Sequence, residues 1–277
     1  MEPGDRVRGG APRVVEVDET ASTNALAMAL AADGERGPLW ISAVRQTAGR
    51  GRGGRRWVSL PGNLHATLLL TPACGVQAAA GLSLVAGVAV IEAIRSAAGP
   101  RTPEGLRLKW PNDVLVGRSK VGGILIESST AAGGETSGGG LVVAVGIGLD
   151  LVAHPDDAER PLTDLARHGI AIGRGEMLDL LAGRMSAWLG RWDEGRGFAL
   201  VRQAWENCAG PPGEPISVHA GAERVAGRYA GLDPTGALLM TDDSGRERRF
   251  TFGDVTLLDG TPGARGSIDR RVPGAGK

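Results

Sequence analysis

Gln46-Thr47-Ala48-Gly49-Arg50-Gly51-Arg52-Gly53-Gly54-Arg55-Arg56-Trp57 follows an apolar run at residues 39–45 and leads into Val58-Ser59-Leu60-Pro61-Gly62. Glycines let backbone N–H groups converge on an anion, and arginines add forked donors that suit phosphate or carboxylate. Gly49, Gly51 and Gly54 have the G-x-G-x-x-G spacing of a dinucleotide-binding turn. That fold requires a helix next, and a stretch holding Pro61 and Gly62 cannot supply one. No Gly-Lys-Ser/Thr follows, so a P-loop is excluded too. The segment therefore reads as an anion-binding loop outside the doubly wound nucleotide folds. An Arg/Gly-rich nucleic-acid tract remains the alternative for this segment taken alone.

Working outward, residues 13–17 read as a strand, and Thr20, Ser22 and Thr23 offer N-cap choices for a helix carrying Leu26, Met28 and Leu30. Residues 39–45 and 64–70 read as strands, and 82–97, apolar nearly all round, as a buried helix. Val, Ile and Leu enrichment predicts further strands at 106–110, 113–116, 123–127 and 141–149, with the Gly-rich residues 131–140 as a hairpin tip. Residues 176–192 and 198–208 have helical periodicity. Pro211-Pro212-Gly213 marks a boundary, beyond which short runs at 215–219, 224–229, 237–240, 248–251 and 255–258 predict a small β-barrel. The expectation is an α+β protein: a mixed-sheet domain over residues 13–210, a barrel over 213–259, and disordered ends at 1–12 and 260–277.

The 277 residues suffice for such a pair of units, and 42% hydrophobic with 22% charged residues fits a soluble protein. Lys+Arg and Asp+Glu balance at 31 each, so overall charge does not select a nucleic-acid partner. Two cysteines, Cys74 and Cys208, make neither a disulfide framework nor a zinc motif. Met1-Glu2-Pro3-Gly4-Asp5 lacks an apolar leader, and the apolar run at 82–94 contains Glu92 and is short for a bilayer span. A cytoplasmic protein with no membrane partner is expected. Lysine occurs only at Lys109, Lys120 and Lys277, while arginine fills nearly every other basic position, so a mid-chain lysine invites a chemical explanation.

Three more segments carry that chemistry. In Lys109-Trp110-Pro111-Asn112-Asp113 a turn presents a lysine able to place a compact charge between two anions; the bland alternative is a strand–turn–strand with a snorkelling lysine. Lys120-Val121-Gly122-Gly123-Ile124-Leu125-Ile126-Glu127 opens a strand with glycines, permitting a flat ligand or merely a bulge. Gly146-Ile147-Gly148-Leu149-Asp150 repeats the pattern.

In this order, with Ser22-Thr23-Asn24 ahead of the first helix, the four segments resemble the biotin protein ligase family. The resemblance covers roughly residues 13 to 259. One departure is Asp150, where the family usually has asparagine. The resemblance implies a biotin/lipoate ligase-like catalytic domain followed by an SH3-like β-barrel. It implies activation of biotin by ATP, with Mg²⁺, to biotinyl-5′-AMP, and transfer to a lysine of a biotin carboxyl carrier protein of an acyl-CoA or pyruvate carboxylase. Ser22, Thr23, Asn24 and Gln46 would then meet the polar end of biotin, and Gly49, Gly51, Gly122, Gly123, Gly146 and Gly148 would let backbone approach it. Arg50, Arg52 and Lys109 would lie between biotin carboxylate and ATP phosphates, with Lys109 and Arg52 catalytic. Arg55, Trp57, Asn112, Asp113 and Asp150 would serve the nucleotide, Asp113 also as a magnesium contact. A lipoate or octanoate ligase is the nearest rival; the arginine loop and the barrel favour biotin.

No helix-turn-helix precedes the first strand, so a monofunctional ligase, monomeric or weakly dimeric, is expected. Duplex DNA should bind no tighter than roughly 10⁻⁴ to 10⁻⁶ M near physiological salt, with or without biotin and ATP. A gel-retardation titration checks this, and a sequence-specific shift at nanomolar protein would refute it.

Overall fold

The computed structural model of the chain describes residues 13–130, 140–156 and 160–258. The ends expected to be disordered, 1–12 and 260–277, and residues 131–139 of the expected hairpin tip lie outside them. The elements are β1 (Val14–Thr20), α1 (Thr23–Ala32), β2 (Leu39–Gln46), β3 (Leu64–Leu70), α2 (Val76–Ala79) and α3 (Leu82–Ala98). Then come β4 (Leu106–Lys109), β5 (Asp113–Val116), β6 (Ser119–Thr130), β7 (Leu141–Leu149), α4 (Arg174–Trp192) and α5 (Phe198–Glu206). The last five are β8 (Pro215–Ala220), β9 (Glu223–Leu232), β10 (Leu238–Asp242), β11 (Glu247–Phe250) and β12 (Asp254–Leu257). α2, a single turn, has no signal in the sequence, which predicts β6 only at 123–127; the polar residues at its two ends hide their pairing with β5 and β7.

β1 to β7 form one mixed sheet in the order β1-β2-β3-β7-β6-β5-β4, in which only β1 and β2 run parallel. The period-two rule of strands sorts its side chains to two faces. Leu39, Ile41, Leu69, Val142 and Ala144 pack with Ala27 and Ala31 of α1 on one face. Trp40, Leu68, Val143 and Val145 join α3 and α4 on the other. Twelve residues of α3 are buried there, which explains its all-round apolar sequence. The stretch Val76–Arg101, which takes in α2, α3 and the turns beside them, is 26 residues long and by length and composition apolar enough to cross a membrane. α3 itself ends within one residue of the expected 82–97, and most of the stretch is enclosed by the sheet, α4 and α5.

β8 to β12 form an antiparallel sheet ordered β11-β10-β9-β8-β12. Among the described residues no ladder joins β11 to β12, so the expected barrel is a five-stranded antiparallel sheet. Its Ile216, Val218, Leu232, Leu238 and Met240 share the core that contains α3. Polar ties reinforce the junction: Arg107 donates to both carboxylate oxygens of Glu214 at 2.8 and 3.0 Å, and Trp110 Nε1 donates to the Gly236 carbonyl at 3.1 Å.

The central position of α3 gives a direct test. Ile91→Ala, at a wholly buried site, should cost about 2–5 kcal/mol of unfolding free energy in urea titrations, through lost transfer energy and the cavity left behind. A cost below about 1 kcal/mol would show that α3 is not the core element described.

Candidate active site

Strand register brings the separated motifs together. Gly148 pairs with His65 of β3 and Gly123 of β6, and Gly146 pairs with Thr67 and Leu125. Around this centre lies a cavity of about 420 Å³, walled by the start of α1, the arginine loop, the β4–β5 turn, β6, β7 and the beginning of β12. Seven basic side chains line it against three aspartates, so it favours anions.

At one end lies a polar pocket. Ser22 occupies the N-cap of α1 in extended conformation, yet its side chain makes no capping bond, leaving the hydroxyl for the cavity. Gln46 Oε1 accepts from Thr23 N at 2.9 Å and lies 3.2 Å from Thr23 Oγ1. Thr67 Oγ1 is 2.8 Å from Thr23 Oγ1 and 2.7 Å from Asn24 Oδ1. Asn24 Nδ2 donates to Glu127 Oε2 at 2.8 Å and to the Leu125 carbonyl at 3.2 Å. Gly146 must lack a side chain because a Cβ would come within 2.3 Å of Asn24 Oδ1.

Beside this pocket stands a charge cluster. Asp113, 6% exposed, has Lys109 Nζ 2.8 Å from Oδ2 and Lys120 Nζ 2.5 Å from Oδ1, with Arg160 3.7 Å away. Burial pushes the Asp113 carboxyl up, but Lys120 and Lys109 together outweigh it and hold it at about 2. Asn112 Nδ2 donates to the Ile124 carbonyl at 2.7 Å, fastening the turn to β6.

Trp57 closes the far side. Its Nε1 donates to His65 Nδ1 at 3.3 Å, and its ring packs on Gly148, where a Cβ would lie 2.5 Å from Cζ2. Burial lowers His65 to about 4, so the ring is a neutral acceptor at neutral pH. Lys120 Nζ sits 5.7 Å from the indole centroid. Asp150 lies beyond, buried, with Oδ1 accepting from Asn63 Nδ2 at 2.8 Å; burial raises its carboxyl to about 8.

The arginine loop is tied down by carboxylates that the sequence did not single out. Arg50 is 3.1 Å from Glu127, while Arg52 and Arg55 lie 3.6 and 2.5 Å from Asp254 of β12. Arg52 also donates to the Gly253 carbonyl at 3.2 Å.

Of the residues singled out by sequence, Ser22, Thr23, Asn24, Gln46, Arg50, Gly51, Arg52, Arg55, Trp57, Lys109, Asn112, Asp113, Gly123, Gly146, Gly148 and Asp150 line the cavity, and Gly49 and Gly122 do not. Neighbouring strand residues project to opposite faces, which puts Gly123 and not Gly122 on the cavity wall. Gly122 lies against Leu149, and Gly49 against Trp57 backbone. Lys120, Arg56, Arg160, Asp254 and Val255 also line the cavity. Lys120 was legible as a rare lysine inside a motif; Asp254 stands in an ordinary β-turn context about two hundred residues from its arginines.

The biotin/lipoate A/B protein ligase family model matches residues 17–147. A biotin–[acetyl-CoA-carboxylase] ligase of Paracoccus denitrificans is 42% identical over 234 residues, covering 82% of this chain and 94% of that protein. The chain belongs to the biotin/lipoate A/B protein ligase family, among its biotin protein ligases. A bifunctional ligase/repressor of Bacillus subtilis is 31% identical over 87% of this chain and 72% of its own length. The solved biotin protein ligase from Aquifex aeolicus in complex with biotin and ATP superposes with a TM-score of 0.69 at 27% identity, covering 89% of this chain and 98% of that one.

The cluster has a measurable signature. The folded Asp113 carboxyl titrates below its ordinary 3.8, so its ionisation stabilises the fold above that pH, and the contribution disappears as pH falls through about 2. Asp113→Asn removes it at neutral pH and leaves two buried ammonium groups without their counter-ion. Urea titration should show a loss of about 3–5 kcal/mol at neutral pH. Equal stability of variant and wild type would refute the pairing.

Proposed function

We propose that the chain activates biotin with ATP as biotinyl-5′-AMP and transfers biotin to a lysine of a biotin carboxyl carrier protein. The observation carrying this is the joining of a polar pocket to a cation-rich chamber within one cavity, in a member of the biotin protein ligases. The ureido end of biotin needs donors and acceptors together, and Ser22, Thr23, Asn24 and Gln46 provide both. Its carboxylate then points toward Lys109 and the arginines, and the nucleotide occupies the side of Trp57, Asn112 and Asp150.

Bringing carboxylate and α-phosphate to about 4 Å costs roughly 4 kcal/mol of repulsion at an effective dielectric near 20. Lys109, Arg50 and Arg52 offset this and stabilise charge developing in the displacement. An ammonium has three donors, so Lys109 can keep Asp113 and still meet substrate. The carrier amine then attacks the acyl carbon and AMP departs. Asp113 does not suit a magnesium ligand, because both of its oxygens already face ammonium groups. Among the described residues no cluster of three His, Cys, Asp or Glu could hold a metal. A magnesium ion would come with the phosphates of ATP. The C-terminal sheet reads as an SH3-like module, supported by its five short antiparallel strands and by its contribution of Asp254 and Val255 to the cavity wall. Two free cysteines support a reducing, cytoplasmic setting.

Biotin-dependent exchange of labelled pyrophosphate into ATP tests the activity, with lipoate and octanoate as controls; exchange with lipoate alone would assign the chain to the other branch. Lys109→Ala should lower exchange by at least about 10²-fold in a folded protein, and near-normal exchange would refute its role. Arg52→Gly should impair retention more than synthesis. Biotinyl-AMP would then escape and label bystander lysines of serum albumin, with self-labelling concentrated at Lys277. Mass spectrometry after incubation with biotin and ATP reads this out, and retention equal to wild type would remove Arg52 from that role.

A further inference from the structure

Asp150, at the position where the family resemblance leads one to expect asparagine, is 3% exposed in the cavity wall. Its one side-chain partner among the described residues is Asn63, whose Nδ2 donates to Oδ1 at 2.8 Å. Asn63 cannot reverse its amide: its Oδ1 accepts from the N–H of Leu151 and Val152 at 2.9 and 3.0 Å, and its Nδ2 also donates to the Ala153 carbonyl at 2.7 Å. Oδ1 of Asp150 is thus the acceptor oxygen, and Oδ2 has no hydrogen-bond partner among the described residues.

Burial, rather than the charges around it, disfavours a carboxylate there. Lys120 of β6 attracts it but is committed to Asp113 at 2.5 Å. Asp164, on the segment after β7, repels it while being held by His154 at 2.7 Å and by Arg167 at 3.6 Å. From β3, His65 is neutral and Asn63 uncharged. Lys109 of β4 and Lys120 share the one charge of Asp113 of β5, so the cluster keeps a net positive charge that pulls the Asp150 carboxyl down, and burial outweighs it.

We propose that Asp150 works as a neutral carboxylic acid whose Oδ2–H donates a hydrogen bond to the bound nucleotide, supplying the donor half of what an asparagine amide supplies. This rests on the adenylating function above. Burial, which holds the carboxyl near 8, keeps the acid protonated at neutral pH. Once ionised, it loses the donor and repels the phosphates.

The test compares kcat/KM for ATP in biotin-dependent pyrophosphate exchange for wild type and Asp150→Asn, whose amide keeps a donor at every pH. Titrations shared by both proteins cancel in the ratio. The wild-type to variant ratio should fall about tenfold between about pH 7 and about pH 9, as a titration centred near 8 requires. A constant ratio overturns the proposal, and so does a raised magnesium requirement in the variant, which would show a carboxylate binding a cation. If wild type shows no biotin-dependent exchange at any pH, the functional reading fails instead. The acid is then still decided by infrared spectra of wild type alone. A protonated-carboxyl C=O stretch at about pH 7 that vanishes by about pH 9.5 is expected, and its absence at about pH 7 overturns the proposal.

Discussion

The buried carboxylate of Asp113 between Lys109 and Lys120 is the constraint on which the site depends. Two ammonium groups withdrawn from water are tolerable only with a counter-charge at contact distance; deleting one member of such a set typically costs about 3–5 kcal/mol. The same contact joins β4, β5 and β6, because each residue of the triad stands on a different strand. From Lys120 the order continues to Trp57, then to His65 on β3 and Gly148 on β7. One electrostatic requirement thereby fixes the position of the aromatic wall as well as the charges.

The arginine loop is held in another way. Its partners Glu127 and Asp254 are substantially exposed, as are Arg50 and Arg55. Exposed pairs of this kind are worth about 0–1 kcal/mol. An incoming phosphate or carboxylate can displace them at little expense, whereas it cannot easily displace Asp113. On the proposed function, the deep charges would be set before substrate arrives, and the peripheral ones would be free to exchange partners around an anhydride that water would hydrolyse. Because Asp254 belongs to β12, the C-terminal sheet takes part in holding that loop.

The polar pocket shows how economy of backbone serves recognition. Thr23, Asn24, Gln46, Thr67 and Glu127 satisfy one another, which fixes their rotamers, while the N-cap position of Ser22 leaves its hydroxyl unspent. Gly146 and Gly148 yield their side-chain space to Asn24 and Trp57. The glycines read in the sequence as room for a ligand are in part room for Asn24 and Trp57, which line the cavity.

The amino-acid sequence alone determined the elements that local chemistry governs. Strands β3, β5 and β7 fall at the expected residues, and so does α1, since apolar patterning is written within a few positions. It also marked the four motifs and singled out Lys109, because a rare residue type in a turn is visible without a fold; Lys120 stood inside one motif with no role assigned to it. Only tertiary structure decided what those residues touch: that Asp113 is consumed by two lysines, that Gly122 faces Leu149 while Gly123 faces the cavity, and that Asp254 meets Arg52 and Arg55 across the molecule. It likewise decided that the C-terminal strands pair without β11 meeting β12 among the described residues. The physical reason is range. Capping and strand alternation act over a few residues, whereas burial, counter-ions and the direction a glycine faces are set by strands brought together from distant parts of the chain.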